Sequence, residues 1–338
     1  MSGSPKRAAK RRPSFLVRLA KGLYITLFIL SLIVVAGYAA LNIFAPKPTV
    51  DGQVTIPPKT ENSAPLPTAT DGLPASAAPD SLVLNRRDNV FTCLMLGVAD
   101  IGGSDTIMLG VFDTQAQKAS LISIPRDTVV RRNGKYQKIN ATYAGGPEAV
   151  AEAVHDLLGV PVDYWVSVNL KAFSSIVDQI GGVYFNVPVD MDYEDPYQDL
   201  YIHIPAGYQL LNGKKAEGVM RCRSCYVNAD IGRTATQRAF LTALAKQTIT
   251  PSNAGNVTAL INTFSQYVRT NMPLKDMVWF GTQAIGMNLD TALTTGSLEG
   301  EWISPYWHMD DKAVLEMVNS LGIYQEQVTA RALHIVHP

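Results

Sequence analysis

Cysteine and histidine, the usual ligands of zinc sites, are scarce in this sequence of 338 residues. It has three cysteines and five histidines, and the histidines show no spacing typical of metal ligands. Cys222 and Cys225 form a C-x-x-C pair, but a zinc site would need a second pair of ligands. The pair is expected to form either a local disulfide or two incidental thiols, and less readily a redox-active pair. Cys93 lies in an apolar run and is predicted to be a buried thiol.

Four common catalytic signatures are also absent. The chain has no G-x-x-x-x-G-K-[ST], no G-x-G-x-x-G, no G-x-S-x-G and no H-E-x-x-H. P-loop nucleotide hydrolysis, dinucleotide redox chemistry and the usual serine or zinc hydrolase mechanisms therefore have no support. No internal repeat is visible, so repeat architectures have no support either.

The absence of net charge hides two oppositely charged parts of the chain. Seven of the 29 basic side chains lie in residues 1–21, which contain no acidic residue. The rest of the chain has the other 22 basic residues and all 29 acidic residues, so it carries a net charge of −7. The basic segment lacks a DNA-reading fold, and no nucleic acid partner is expected.

One long apolar run predicts a membrane protein. Residues 22–44 carry no charge, and at about 1.5 Å per residue they can cross a hydrocarbon core of about 30 Å. The basic tail before them predicts a single-pass protein of the cell membrane, with a cytoplasmic N-terminus and an extracellular C-terminal part. A cleaved signal peptide is the alternative, but its apolar core is typically about 7–15 residues. Residues 45–81, with eight prolines, are predicted to be a linker, and residues 82–338 one large domain.

The predicted domain alternates apolar runs with helical patterns. Strands are predicted over residues 90–98, 106–112, 119–124, 164–168 and 183–187. Helices are predicted over residues 147–158, 172–180, 212–220, 233–247, 274–286 and 312–321. Residues 193–208 are predicted to form a hairpin or a long loop. This alternation predicts an α/β fold in which helices flank a central mixed β-sheet on both faces.

A cluster of four arginines lies in an 18-residue segment of the acidic part of the chain. Its members are Arg221, Arg223, Arg233 and Arg238. Guanidinium groups match the geometry of phosphate, so a phosphorylated ligand is the first hypothesis. Arg233 and Gln237 share one stripe of a predicted helix whose first turn also favours an anion. The structural alternative is that Asp230 caps this helix and the arginines form ordinary ion pairs.

Two further patterns place acidic residues near strand ends. Arg126 and Asp127 follow the third predicted strand, where open α/β sheets bind ligands. Asp105 lies in a Gly-Gly-Ser turn before the second strand, and with Asp127 or Asp230 it can supply carboxylates for Mg²⁺. Each pattern alone is also compatible with an ordinary turn.

Six ordered motifs together resemble the LytR-CpsA-Psr family over nearly all of the predicted domain. They are Gly103-Ser-Asp-Thr-Ile-Met-Leu109, Leu121-Ile-Ser-Ile-Pro-Arg-Asp-Thr128, Lys138-Ile-Asn-Ala-Thr-Tyr-Ala144, Asp178-Gln-Ile-Gly-Gly-Val183, Gly207-Tyr-Gln-Leu-Leu-Asn-Gly213, and Arg221-Cys-Arg223 with Asp230-Ile-Gly-Arg233-x-x-x-Gln237. Members of that family are cell-envelope glycopolymer transferases, and a membrane anchor is compatible with them. The resemblance implies transfer of a glycopolymer, such as teichoic acid or capsule polysaccharide, from a polyprenyl pyrophosphate to peptidoglycan.

The resemblance also implies roles for individual residues. Asp105 and Asp127 are expected to bind Mg²⁺ or its water shell. The pyrophosphate is expected to contact Arg126, Arg221, Arg223, Arg233 and Gln237. Asp230 is expected to orient the arginines or to assist deprotonation of the acceptor hydroxyl, and the membrane lipid to enter an apolar pocket between sheet and helices.

The chain departs from the family pattern at two positions. Gly103 and Thr236 stand where the family commonly has arginine, and Arg238 lies one position beyond the family's Arg-Gln pair. Two alternatives follow for the function. One is a scaffold that binds polyprenyl pyrophosphate without turnover, and the other is a pyrophosphatase that acts on the same lipids.

Overall fold

A computed structural model describes residues 45–57, 81–98, 103–198, 200–227, 230–250, 252, 261–262 and 264–338. The chain divides into two units, Met1–Lys47 and Pro48–Pro338, and the elements of the fold belong to the second. The predicted cytoplasmic tail, the predicted membrane helix at residues 22–44 and most of the predicted linker lie outside the described residues. Among the residues that are described, no helix combines the length and apolar character that crossing a membrane requires.

The strands and helices of the described residues run in the following order. The strands are β1 (Gln53–Ile56), β2 (Leu82–Asn85), β3 (Val90–Val98), β4 (Ser104–Asp113), β5 (Lys118–Ser123), β6 (Val129–Arg132), β7 (Lys135–Lys138), β8 (Tyr164–Asn169), β9 (Val183–Val187), β10 (Met191–Asp195), β11 (Leu200–Ile204), β12 (Gly207–Leu211), β13 (Arg269–Thr270), β14 (Leu293–Ser297), β15 (Gly300–Ile303) and β16 (Tyr306–Met309). The helices are α1 (Pro147–Leu158), α2 (Leu170–Gln179), α3 (Gly213–Arg221), α4 (Asp230–Thr248), α5 (Leu274–Ala284), α6 (Leu289–Ala292) and α7 (Asp311–Ser320). Short 3₁₀ helices occupy Ile139–Gly145, Pro196–Gln198 and Ala330–Ala332.

The central sheet has six strands in the order β13-β8-β3-β4-β5-β14. Strand β3 pairs antiparallel with β4 and parallel with β8, and β5 pairs antiparallel with β4 and parallel with β14. The short edge strand β13 pairs antiparallel with β8. The predicted α/β fold with a central mixed sheet is therefore confirmed. The hairpin predicted over residues 193–208 is present as β10 and β11.

One face of the sheet forms the main hydrophobic core. Alternate residues of β3 and β4 point to it, and Leu94 and Leu109 lie opposite each other at full burial. Helix α1 packs here because its apolar residues recur at helical spacing, with Val150 and Val154 fully buried. Helix α1 ends at Gly159, whose φ of 61° lies in the left-handed region that glycine adopts without strain. Helix α7 contributes to the same core.

Strand β1 lies inside the range predicted as a linker. Residues 53–56 pair antiparallel with β2, and Val54 and Ile56 are buried against Leu84 in the main core. The sequence did not predict this strand, because four residues with two apolar positions give only a weak alternating pattern within a proline-rich segment. The structure therefore differs from the predicted boundary at residue 82, because burying Val54 and Ile56 joins this segment to the domain.

A buried ion pair joins the segment that precedes β3 to the segment that precedes β8. Arg86 is 4% exposed and donates two hydrogen bonds to Asp163, at 2.6 and 2.5 Å. Asp163 also accepts from the backbone N–H of Thr92 at 2.8 Å and from its hydroxyl at 3.0 Å. Both charges are thus compensated, as buried charges need to be.

Candidate functional site

A large apolar cavity lies against the second face of the central sheet. Its volume is about 1430 Å³, and helices α2, α4 and α5 complete its walls. Alternate residues of β4, from Thr106 through Met108 and Gly110 to Phe112, line its floor. Six residue steps along a strand cover about 20 Å, so the cavity has the length for an extended apolar chain.

Most of the residues predicted for the site line this cavity. They are Asp105, Arg126, Arg221, Arg223, Arg233 and Gln237. Asp127 and Asp230 instead line a second cavity of about 1260 Å³, and Arg223 lines both. The structure therefore brings the predicted residues together, but it divides them between two cavities that share Arg223.

Arg126 is the centre of a small network of charges. It follows β5, and the antiparallel pairing of β4 and β5, which places Met108 opposite Ser123, brings the end of β5 towards the start of β4, where Asp105 lies. Its Nη1 donates to Oδ1 of Asp105 at 2.5 Å, and its Nε lies 3.8 Å from Oδ2 of Asp127. Burial lowers the pKa of Arg126, but the carboxylates of Asp105, Asp127 and Asp230 more than offset this, so its pKa lies above the ordinary value.

Arg233 lies close to this network from the first turn of α4. The residue is 6% exposed and pairs with Asp230. Burial lowers its pKa, the positive charges of Arg126 and Arg223 lower it further, and Asp230 and Asp105 oppose the shift. Its Nε is buried and makes no hydrogen bond to any described residue. A bound anion would compensate the desolvated guanidinium groups and supply this missing acceptor.

Gln237 holds the mouth of the cavity together. Its side chain is buried; Oε1 accepts from the hydroxyl of Thr106 at 3.1 Å and Nε2 donates to the carbonyl of Met220 at 2.9 Å. The amide therefore ties β4 and α3 to α4 beside the arginines. Its predicted contact with pyrophosphate stays a prediction.

A disulfide fixes the segment that carries two of the arginines. Cys222 and Cys225 are bonded to each other, so the local disulfide is the correct alternative. Arg221 precedes the bridge and Arg223 lies within its loop, where its Nε is 3.8 Å from Oδ1 of Asp230. The free Cys93 lines the cavity, but burial and the charge of Asp163 raise the pKa of its thiol to about 12, which makes it a poor nucleophile.

We expect replacement of both Cys222 and Cys225 by serine to weaken ligand binding more than stability. The four-residue loop restrains few conformations of the unfolded chain, so its contribution to the free energy of unfolding should be small. Arg223 would lose its fixed position, and we expect the Kd for polyprenyl pyrophosphate to rise about tenfold. Titration of the lipid and thermal unfolding of the same samples check both parts. An unchanged Kd with a lower melting temperature would contradict the prediction.

The structure explains the residues at the two positions, 103 and 236, where the chain lacks the arginine that is common in the family. Gly103 has a φ of 123°, so an arginine at this position would require a different backbone conformation. Thr236 is buried and its hydroxyl accepts a hydrogen bond from Tyr226 at 2.8 Å. Arg238 donates to the hydroxyl of Ser123 at 2.9 Å and lines the second cavity rather than the first. Burial lowers its pKa.

One residue of the site was missed by sequence reasoning. Lys138 ends β7, and its Nζ lies 2.9 Å from Oδ1 of Asp127. It balances part of the negative charge that Asp127 brings to the site. The available signal was its place at the start of the Lys138-Ile-Asn140 motif.

The acidic residues can supply two carboxylates for a magnesium ion but not a complete set of protein ligands. No group of three or more His, Cys, Asp and Glu side chains with metal-site geometry occurs among the described residues. Asp105 and Asp127 flank one guanidinium, and Mg²⁺ characteristically takes one or two carboxylates together with substrate phosphates. The donor set thus suits an ion that a phosphorylated ligand brings or shares.

Comparisons with known proteins point to one family. A profile of the LytR_cpsA_psr family matches residues 71–322. The polyisoprenyl-teichoic acid–peptidoglycan teichoic acid transferase TagV of Bacillus subtilis is 29% identical over an alignment of 230 residues that covers 64% of this chain and 59% of TagV. The corresponding transferase TagU of Bacillus licheniformis is 31% identical over an alignment of 205 residues that covers 59% of this chain and 65% of TagU. The chain thus spans less than two thirds of the length of these two relatives.

A solved structure shares the fold. The crystal structure of B. subtilis TagV superposes with a TM-score of 0.62 at 26% sequence identity, and the match covers 69% of this chain and 96% of the TagV chain. The central mixed sheet and its helices are therefore common to both proteins.

Proposed function

Because the chain belongs to the LytR_cpsA_psr family, we propose that it transfers a glycopolymer from a polyprenyl pyrophosphate carrier to peptidoglycan. The observation that supports this most directly is the position of Arg126, Arg221, Arg223 and Arg233 at the mouth of an apolar cavity. An apolar cavity alone suits many ligands, and a cluster of arginines alone suits many anions. Their combination suits a lipid whose head group is a pyrophosphate.

The proposed reaction exchanges one phosphorus–oxygen bond for another. A hydroxyl oxygen of the acceptor forms a bond to the phosphorus that carries the glycopolymer, and the bond from that phosphorus to the bridging oxygen breaks. Polyprenyl phosphate leaves with the electron pair, and the hydroxyl proton passes to the carboxylate of Asp230 or to water. The protein supplies charge neutralisation and in-line placement, which are the main requirements of phosphoryl transfer.

Asp105 and Asp127 are the residues that we propose for Mg²⁺. When bound, the ion would neutralise charge on the pyrophosphate. Arg126 lies between the two carboxylates and keeps both in place. A single membrane-spanning segment at residues 22–44, with the domain outside the cell, would place this site next to a lipid-linked donor, and it is part of the same proposal.

The deciding experiment uses the full-length protein in detergent with a polyprenyl pyrophosphate-linked glycan and peptidoglycan fragments, with and without Mg²⁺. Product joined to the acceptor supports the proposal. Free phosphorylated glycan without coupling would identify a pyrophosphatase instead. Retention of the lipid without either product would identify a binding or scaffold protein.

We expect Gly110→Leu to shorten the apolar cavity and to select against long lipid chains. Gly110 lies midway along the floor, and the nearest atom to an added side chain is the mobile end of Met95 at 3.2 Å. Each methylene of the lipid that is no longer buried costs about 0.8 kcal/mol of binding free energy. The affinity for a long-chain polyprenyl pyrophosphate should therefore fall at least about tenfold.

The chain-length dependence distinguishes a blocked cavity from a damaged protein. A two-isoprene pyrophosphate should bind Gly110→Leu as it binds the unmodified protein, since the mouth is unchanged. Gly110→Ala is the matched control, and it should bind both lipids normally. Equal losses for short and long chains would show that the lipid does not lie along this floor.

A further inference from the structure

The second cavity adjoins the phosphate site but has a different character. Its volume of about 1260 Å³ exceeds the roughly 300–1,000 Å³ of typical small-molecule sites. Asp127, Asp230 and Arg223 form the part of its lining that belongs to the site. Because Arg223 lines both cavities, a ligand in the second cavity can reach a phosphate held in the first.

An aromatic hairpin forms one wall of this cavity. Strands β15 and β16 pair antiparallel, with Trp302 opposite Trp307. The backbone N–H of Trp307 donates to the carbonyl of Asp127 at 2.9 Å, which attaches the hairpin to the site. Trp302 is 52% exposed, and the ammonium of Lys138 lies 5.4 Å from the centroid of its ring. A flat indole surface is thus held at the rim while much of it stays open.

The charges of the second cavity differ from those of the first. Besides Asp127 and Asp230, its lining includes the carboxylates of Glu299, Glu301, Asp310 and Asp311. Arg223 and Arg238 are its only arginine or lysine side chains among the described residues. Lys138 and Arg233 pair with Asp127 and Asp230 from outside this lining. The four remaining carboxylates would still repel a polyanionic donor. An uncharged ligand rich in hydroxyl and amide groups would find acceptors there without repulsion.

We propose that the second cavity binds the glycan strand of the acceptor, with a sugar ring on the exposed face of Trp302. The C–H face of a pyranose is apolar and stacks on an indole, while its hydroxyl groups donate to the surrounding carboxylates. The acceptor hydroxyl then reaches the phosphate site beside Asp230 and Arg223. This proposal rests on the proposed transfer function and assigns donor and acceptor to separate cavities.

Glycan binding without donor tests the proposal directly. The probe is a β-1,4-linked tetramer of N-acetylglucosamine, an uncharged analogue of the glycan strand, titrated into the full-length protein in detergent and followed by saturation-transfer NMR. We expect Trp302→Ala to raise the Kd about fivefold to tenfold, and Trp302→Phe to recover part of the loss. Tyr208→Ala is the matched control, because Tyr208 is 74% exposed and lines neither cavity.

Two results would overturn the proposal: no binding of the tetramer by the unmodified protein, or equal binding by Trp302→Ala and the unmodified protein. A thermal melt of each variant confirms that the fold is intact. Binding of polyprenyl pyrophosphate, measured on the same samples, should be unchanged in Trp302→Ala. Failure of the unmodified protein to bind that lipid would count against the transfer function, whereas failure to bind the tetramer counts only against the acceptor site.

Discussion

We expect Arg233→Ala to reduce kcat/KM for glycopolymer transfer by about 10²–10³-fold, as removal of a preorganised charged donor commonly does. Arg233 is nearly fully buried, pairs with Asp230, and presents a buried Nε without a hydrogen-bond partner among the described residues. On the proposed function, the substitution removes a hydrogen-bond donor to the pyrophosphate and leaves the charge of Asp230 close to it. Both changes disfavour an anion at the mouth of the cavity.

Steady-state kinetics with lipid-linked donor and peptidoglycan fragments checks this result. Lys246→Ala is the matched control, since Lys246 lies on the same helix and pairs with Asp290 at the surface; its rate should stay within about twofold of the unmodified protein. Arg233→Lys should restore little, because an ammonium cannot reproduce the planar fork. A normal rate in Arg233→Ala would show that the phosphate does not bind at this arginine.

We expect Asp163→Ala to lower the free energy of unfolding by about 3–5 kcal/mol, the usual cost of removing one partner of a buried ion pair. Arg86 would remain buried with its charge uncompensated, and Thr92 would lose two hydrogen bonds. Asp163 directly precedes β8 and lines neither cavity, so the loss concerns the fold rather than the phosphate site.

Urea unfolding followed by circular dichroism measures this loss. Arg132→Ala is the comparison, because Arg132 pairs with Glu152 and Asp156 near the surface and should contribute only about 0–1 kcal/mol. A loss below about 1 kcal/mol in Asp163→Ala would mean that the Arg86 charge finds solvent or another partner.

The sheet and most helices could be predicted because their patterns are local. Strand β3 and helix α1 have the predicted bounds, since continuous apolar runs and helical spacing are visible in one segment of sequence. Strands β15 and β16 were missed because each has only four residues, although they pair with each other. Strand β1 was missed because it has only four residues and pairs with the distant strand β2. Val54 and Ile56, for example, are buried by core residues far along the chain.

That the predicted site residues lie near one another could be expected from the sequence, but their division between two cavities could not, and their roles stay predictions. The family resemblance is confirmed, and the structure brings Asp105 and Arg126 into contact as their strand-end positions suggest. That Asp127 and Asp230 lie in the second cavity depends on how the hairpin and α4 pack, which no local pattern specifies. The magnesium ion and the membrane anchor stay predictions.

Burial of a lipid tail in the apolar cavity would raise the affinity for the lipid without raising the rate of the chemical step. A lipid tail that fills the floor from Thr106 to Phe112 is the same in the donor, the transition state and the released polyprenyl phosphate. Its burial therefore stabilises all three equally and cannot accelerate the chemical step. The tail also holds the product as firmly as the donor, so on the proposed function we expect longer tails to leave more slowly.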